Sequence, residues 1–177
     1  MAFYDSDVNV LIDAATVEAR VRELGAQITR EYQGKDLTLV GILKGSVFFT
    51  TDLARAIDLP LTVEFLGVSS YQGGTETTGE VRITSDLTKP MAGKHLLVVE
   101  DIIDTGLTMK FLLENLQARH PASLKICALL EKPSRARAKV PIDYRGFVIE
   151  DKFVVGYGLD FDEKFRNLPF IGVMKGK

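Results

Sequence analysis

At 177 residues, with 46% hydrophobic and 26% charged residues, the chain has the size and apolar content of one globular domain with a real core, which excludes general disorder. A formal net charge of −2 and a pI near 5.7 give no electrostatic drive toward non-specific nucleic-acid or membrane binding, so a small molecule is the expected partner. The N-terminal stretch MAFYDSDVNVLID carries acidic residues where a secretion signal needs basic ones, and no apolar run reaches transmembrane length.

From Val17 the apolar positions Val21, Leu24 and Ile28 keep helical spacing, and Gly34 is the expected stop. LTLVGIL (37 to 43) reads as a buried strand, and Ser46 as the N-cap of a helix whose face is Phe49, Leu53, Ala56 and Ile57, ended before Pro60. LTVEFLGVS is the next strand, and the polar, glycine-rich stretch from Ser69 to Gly79 is a loop. VRIT and HLLVV give two more strands. After Gly106 a helical stripe runs through Met109, Leu112, Leu113 and Leu116, and LKICALL is a further buried strand. Its Cys127, the single cysteine, is expected to be an inert buried thiol in a reducing cytoplasm. Beyond about residue 140 the pattern is short strands and turns that pack with the N-terminus as a small cap. Continuous apolar strands alternating with helices predict an α/β fold, an open and mostly parallel sheet covered on both faces. No linker interrupts it, so residues 1–177 form one domain, with a core over about 14–147 and a hood from about 1–13 and 148–177.

EDIIDTGLT (100 to 108) places three carboxylates, Glu100, Asp101 and Asp104, at the carboxyl end of a buried strand, where open α/β sheets bind ligands. The turn into the following helix offers free backbone N–H groups and the hydroxyls of Thr105 and Thr108, and Gly106 lets the chain approach an anion closely. That describes a phosphate cradle. Glu100 and Asp101 would repel a phosphate in contact, so they suit vicinal sugar hydroxyls or a hard divalent cation. A sugar phosphate with magnesium satisfies both halves. Acidic pairs at strand ends also occur in receiver domains and in phosphatases with an aspartyl nucleophile. DTG occurs in aspartic proteases, which need a second such motif in an all-β fold. A helix cap alone would account for one carboxylate, not three.

LLVVEDIIDTGLT resembles the phosphoribosyl pyrophosphate signature of type I phosphoribosyltransferases, in the form typical of the hypoxanthine-guanine enzymes. Four further segments resemble the family in the same order: GILKGS (41 to 46), SSYQGGTETTGEVRI (69 to 83), EKPS (131 to 134) and DKFVVGYGLDFDEKFRNLP (151 to 169). Asp104 stands where other branches carry a small residue, and Leu107 replaces a second glycine; both departures point to the 6-oxopurine branch.

The resemblance implies displacement of pyrophosphate from ribose C1 by a purine nitrogen, turning phosphoribosyl pyrophosphate and hypoxanthine or guanine into IMP or GMP in purine salvage. It further implies that Lys44 and Gly45, after a cis peptide, meet the pyrophosphate together with Arg166. Ser70 and Tyr71 belong to a loop that closes over the site. Glu100 and Asp101 would hold ribose hydroxyls or magnesium, Asp160 would serve a second magnesium, and Asp104 would move the purine proton. Thr105, Gly106 and Thr108 would take the 5-phosphate, and Lys132, Phe153 and the backbone of Val154 the base. Without the family, Lys44 and Arg166 read as solvated cations, Phe153 as core, Asp104 as a helix cap, and the loop as a hairpin tip. Asp162 and Glu163 read as solvated neighbours of Asp160. The basic run EKPSRARAK, with Arg135, Arg137 and Lys139, reads as a solvated face rather than an RNA patch, since nothing aromatic is interleaved. Two alternatives remain: a xanthine-preferring relative, and an RNA-binding regulator on the same fold. The family also implies a homodimer or homotetramer.

Overall fold

A computed structural model describes residues 7–70 and 81–175. Its main sheet has six strands in the order β4 (Val81–Ser85), β3 (Leu61–Ser70), β2 (Leu37–Leu43), β5 (His95–Ile103), β6 (Ser123–Glu131) and β7 (Tyr144–Val148). All neighbours pair in parallel except β4, which runs antiparallel along one edge. β2 and β5 sit inside the sheet, and this is why their sequences are unbroken apolar runs rather than alternating ones.

Side-chain alternation divides the core into two layers. Leu37, Leu39, Leu97, Val99, Cys127 and Leu129 face α1 (Ala14–Glu31) and α2 (Val47–Ala56), where Val21, Leu24, Ile28, Phe49 and Leu53 cover them. Val40, Ile42, Leu96, Val98, Ile126 and Ala128 face α3 (Leu107–Gln117), which contributes Met109, Leu112 and Leu116. Cys127 is fully buried, and burial pushes its thiol pKa far up, so it is unreactive packing.

Several expected boundaries move. α1 starts one turn before Val17, because the Asp13 carboxylate accepts the Thr16 N–H at 2.7 Å and caps it there. The helix ends at Glu31, and Gly34, with φ of 73°, lies in the turn beyond. Ser46 precedes α2 as expected but does not cap it: its buried hydroxyl donates back to the Ile42 carbonyl at 2.7 Å. β3 continues through Ser69 and Ser70, so the glycine-rich loop starts later than its composition suggests; Tyr71 and the stretch to residue 80 lie outside the described residues.

The hood is a second, antiparallel sheet in which β9 (Ile171–Met174) lies between β1 (Val8–Ile12) and β8 (Val154–Val155). It is continuous with the core on the α1/α2 side through Val154, Tyr157, Leu159 and Ile171. The Tyr157 hydroxyl fastens it to α2 by donating to Asp52 Oδ2 at 2.8 Å. Among the described residues no helix is long and apolar enough to cross a membrane.

At the opposite end of the sheet the Tyr144 hydroxyl donates to Glu31 Oε2 at 2.5 Å, and Lys125 lies over the rings of Tyr32 and Tyr144 at 5.9 and 5.4 Å. The Tyr144 hydroxyl is the main reason that the Glu31 carboxyl lies below its ordinary range. A depressed folded pKa gives stability that is present above the unfolded value and lost as pH falls through the folded one. Tyr144→Phe should therefore cost about 1 kcal/mol at neutral pH. The deficit should shrink in acid, as chemical denaturation of both proteins at neutral and acidic pH will show.

Candidate active site

β5 extends past the apolar run HLLVV through Glu100, Asp101, Ile102 and Ile103, so the acidic residues stand on the strand itself. Successive strand residues point to opposite faces, and the two carboxylates accordingly serve different neighbourhoods. Glu100, only 9% exposed, lines a small cavity of about 90 Å³ with Asp104, Thr105, Gly106, Thr108 and Met109. Asp101 lies on the other side, against the turn at Gly45, where any β-carbon would strike its Oδ2.

Burial raises both carboxyl pKa values, and the neighbouring Asp101 charge pushes Glu100, the more deeply buried, up further. No lysine or arginine forms an ion pair with either among the described residues. A buried acidic pair lacking a cationic partner fits a divalent cation or a set of sugar hydroxyls. Asp160 does not join them in a three-carboxylate cluster among the described residues: its Oδ1 pairs with Arg166 Nη2 at 2.8 Å, and its Oδ2 accepts the Glu163 N–H at 2.9 Å. Magnesium usually takes only one or two protein carboxylates and completes its shell with water and phosphate, so the donor set still suits it.

The anion cradle forms where β5 turns into α3. Gly106 precedes the helix with φ of 78°, a left-handed conformation that glycine adopts without cost, and a β-carbon there would meet the Ala138 carbonyl. The N–H groups of Arg137 and Ala138 both donate to the Thr105 carbonyl, at 2.9 and 3.0 Å, and tie the turn to the segment after β6. The first N–H groups of α3 thus open beside the cavity.

Two backbone turns and the Asp101 side chain converge on the side facing the hood. The Leu43–Lys44 peptide is cis, and Gly45 follows against Asp101. Gly158, with φ of 103°, presses on the Gly45 carbonyl at a point no side chain could occupy. Lys44 Nζ lies 2.8 Å from Glu163 Oε2. Arg166 Nη1 donates to the Gly158 carbonyl at 2.8 Å, and its Nη2 reaches Asp160 and, at 3.3 Å, Glu163 Oε1.

On the third side Lys132 is only 8% exposed, and its Nζ lies 3.5 Å from Asp151 Oδ1. Arg135 joins this pair to the signature, with Nε at 2.6 Å from Asp104 Oδ1 and Nη1 at 3.4 Å from Asp151 Oδ2. Asp104 therefore faces a guanidinium, and Gly106 rather than Asp104 occupies the N-cap position of α3. Phe153 is 42% exposed and meets Phe161 edge to face at 5.7 Å, while Val154 is buried. Of the loop pair expected to close the site, Ser70 ends β3 and Tyr71 lies outside the described residues.

Arg135 and Glu163 are the residues that sequence reasoning passed over, having been read as solvated charges. Their spacing carries no local signal: Arg135 is 31 residues from Asp104 and Glu163 is 119 from Lys44. The weak hint in the sequence is the company they keep, a basic run beside EKPS and an acidic one beside Asp160.

An open parallel sheet with a helix N-terminus, a buried acidic pair and converging cations at one end has the form of an α/β enzyme site. A family model for the phosphoribosyl transferase domain matches residues 9–162. A hypoxanthine-guanine phosphoribosyltransferase of Mycobacterium avium is 49% identical over 97% of this chain and 88% of its own. A hypoxanthine phosphoribosyltransferase of Haemophilus influenzae is 52% identical, over 93% of this chain and 94% of its own. The crystal structure of a hypoxanthine phosphoribosyltransferase from Staphylococcus aureus superposes with a TM-score of 0.94 at 48% identity, covering 98% of this chain and 95% of that one. The chain belongs to the phosphoribosyltransferase family and has the type I fold that its signature implied.

If Glu100 and Asp101 serve ligands rather than the fold, their removal should spare the ligand-free protein. An acid with a raised folded pKa favours the native state below its unfolded value, and that stability is lost as pH rises toward the folded pKa. The double substitution Glu100→Gln with Asp101→Asn should therefore raise thermal stability at neutral pH, on the order of 1 kcal/mol, with the gain vanishing in acid. Collapse of the double variant in calorimetry would instead make the pair structural.

Proposed function

We propose that the protein transfers the 5-phosphoribosyl group from phosphoribosyl pyrophosphate to a 6-oxopurine, hypoxanthine and guanine being the expected bases, and so acts in purine salvage. The observation that carries this reading is the chain of contacts from buried Lys132 through Asp151 and Arg135 to Asp104, beside the phosphate cavity. It joins a donor-only side chain and a carboxylate in one network, which supports a reading in which a base meets the sugar there.

In the proposed reaction the bond from ribose C1 to the pyrophosphate oxygen breaks, C1 bonds to the purine nitrogen, and the purine N–H proton passes to Asp104. Positive charge builds on the ribose and negative charge on the departing pyrophosphate, so prearranged charge is the main source of rate. Lys44, the Gly45 turn and Arg166 take the pyrophosphate; Thr105, Gly106 and Thr108 take the 5-phosphate; Phe153 and the Val154 backbone line the base, and Ser70 with Tyr71 close over it. Glu100 and Asp101 would hold the ribose hydroxyls or magnesium, with Asp160 the candidate for a second ion, and magnesium would supply positive charge to offset that of the phosphates. The proposal extends to a cytoplasmic homodimer or homotetramer, for which sedimentation is the measurement. An RNA-binding role is less favoured, because Arg135, the centre of the basic run, is spent on Asp104 and Asp151.

Steady-state kinetics with hypoxanthine, guanine, xanthine and adenine, with and without chelator, test this reading; full activity in excess chelator would remove magnesium from it. Lys132 can donate to the exocyclic oxygen of a 6-oxopurine, whereas adenine presents an amino group there. Two facing donors leave a buried group unsatisfied at a cost of ~1 to 3 kcal/mol, or about 10- to 100-fold in discrimination. Lys132→Ala should hence damage use of hypoxanthine far more than use of adenine. An unaltered ratio of their specificity constants would mean that Lys132 does not read the base.

The proton-transfer assignment has its own check. Asp104→Asn should lower kcat by roughly 100-fold or more where chemistry limits turnover, with binding of phosphoribosyl pyrophosphate nearly intact. Turnover at the wild-type rate under those conditions would exclude it.

A further inference from the structure

Glu163 is solvated, as its sequence suggests, but it also has two cationic partners. Its two carboxylate oxygens span two cations drawn from distant parts of the chain, Oε2 at 2.8 Å from Lys44 Nζ and Oε1 at 3.3 Å from Arg166 Nη2. Lys44 follows β2, whereas Glu163 and Arg166 belong to the hood turn that packs on Gly45 through Gly158. These are the two side-chain cations that the proposed function gives to the pyrophosphate. Two oxygens on one carbon, each facing a different cation, reproduce the pattern that two oxygens of one phosphate group would make.

The turn is shaped to hold the carboxylate there. Asp162, Glu163 and Phe165 have φ of 52°, 60° and 74°, and none of them is glycine. Left-handed backbone is unfavourable for such residues and persists only where the surroundings fix it. Here the fixing bonds are Glu163 N–H to Asp160 Oδ2 at 2.9 Å and the reciprocal pair between Phe161 and Lys164, each 3.1 Å. Lys44, and after it Arg166, also holds the Glu163 carboxyl below its ordinary range, so it is an anion at neutral pH.

We infer that Glu163 sets the affinity for the leaving group: in the unliganded enzyme its carboxylate occupies the place of one phosphate of pyrophosphate and is displaced when pyrophosphate binds. The inference rests on the assignment of Lys44 and Arg166 to pyrophosphate. A ligand with more charge and more oxygens wins the exchange, at the cost of breaking the internal pair. The same competition operates as the product leaves, where the returning carboxylate recaptures both cations and favours release. Both members of the Lys44–Glu163 pair are largely exposed, at 68% and 64%, which limits the effect to severalfold.

The test is titration calorimetry of magnesium pyrophosphate into wild type, Glu163→Gln, Lys44→Ala and the double variant. Glu163→Gln should bind pyrophosphate about three- to tenfold more tightly. Inhibition by pyrophosphate as product should strengthen equally, with the KM for the purine unchanged. Glu163→Ala, which removes reach as well as charge, should act in the same direction. In the Lys44→Ala background the gain should largely vanish. Unchanged or weaker binding in both Glu163 variants, with binding weakened by Lys44→Ala, overturns the inference and leaves the pyrophosphate site standing. Full affinity in Lys44→Ala removes that site, and this inference with it. A parallel shift in the purine KM would mark Glu163 as a structural support and would also overturn it.

Discussion

Parallel pairing on both edges of β5 is the constraint from which the site follows. Hydrogen-bonded to β2 over His95–Val99 and to β6 as far as Ile103, this strand has a fixed register, as in Leu97 opposite Leu39 and Lys125. Its alternation is fixed with it. The side chains that build the two core layers, Val98 and Val99, are followed by Glu100 and Asp101, which inherit the same two directions. One acid therefore reaches the cavity at the start of α3 and the other reaches the turn after β2. No loop has to be trained to separate them.

Holding two carboxylates at the end of a buried strand is unfavourable, and the surrounding structure is arranged to bear it. Burial pushes both toward protonation, the Asp101 charge pushes Glu100 further, and neither acid has an ion pair among the described residues, although the Arg166 charge partly offsets the burial of Asp101. The cations are placed one step outward, where other carboxylates hold them: Lys44 by Glu163, Arg166 by Asp160 and Glu163, and Arg135 by Asp104 and Asp151. The unliganded site thus keeps its positive groups occupied and its central acids unpaired. Such an arrangement is poor for stability and well suited to a ligand that carries both negative phosphates and hydroxyl donors.

Much of this was legible in the sequence wherever the signal was local. LTLVGIL gave its strand at full length because an interior strand is apolar on both faces, and Met109, Leu112 and Leu116 gave α3 because one helical stripe meets one face of the sheet. The apolar run HLLVV understated β5, since charge at Glu100 ends the hydrophobic pattern while the ladder continues to Ile103 opposite Glu131. Ser46 misled because a serine before a helix can bond backward as well as forward, and its buried hydroxyl shares the Ile42 carbonyl with its own N–H. The partners of Arg135 and Glu163 were invisible for another reason. The pairings of Arg135 with Asp104 and of Glu163 with Lys44 are made by tertiary packing between segments far apart in the chain, and a charged residue in a polar stretch looks the same whether it meets water or another side chain.

The meeting of Gly45, Asp101 and Gly158 bears on the order in which the molecule can be made. The three positions belong to the turn after β2, the central strand and the hood, and they touch where there is no room for a β-carbon. The layer facing α3 packs from neighbouring strands and helices without the hood, whereas the layer facing α1 and α2, like this junction, needs the hood seated on the sheet. Contacts between segments so distant in the chain carry the largest loop-closure cost and are made late. The hood thus completes the α1/α2 layer and the site together, so a closed interior on that side and a formed site are one and the same assembly.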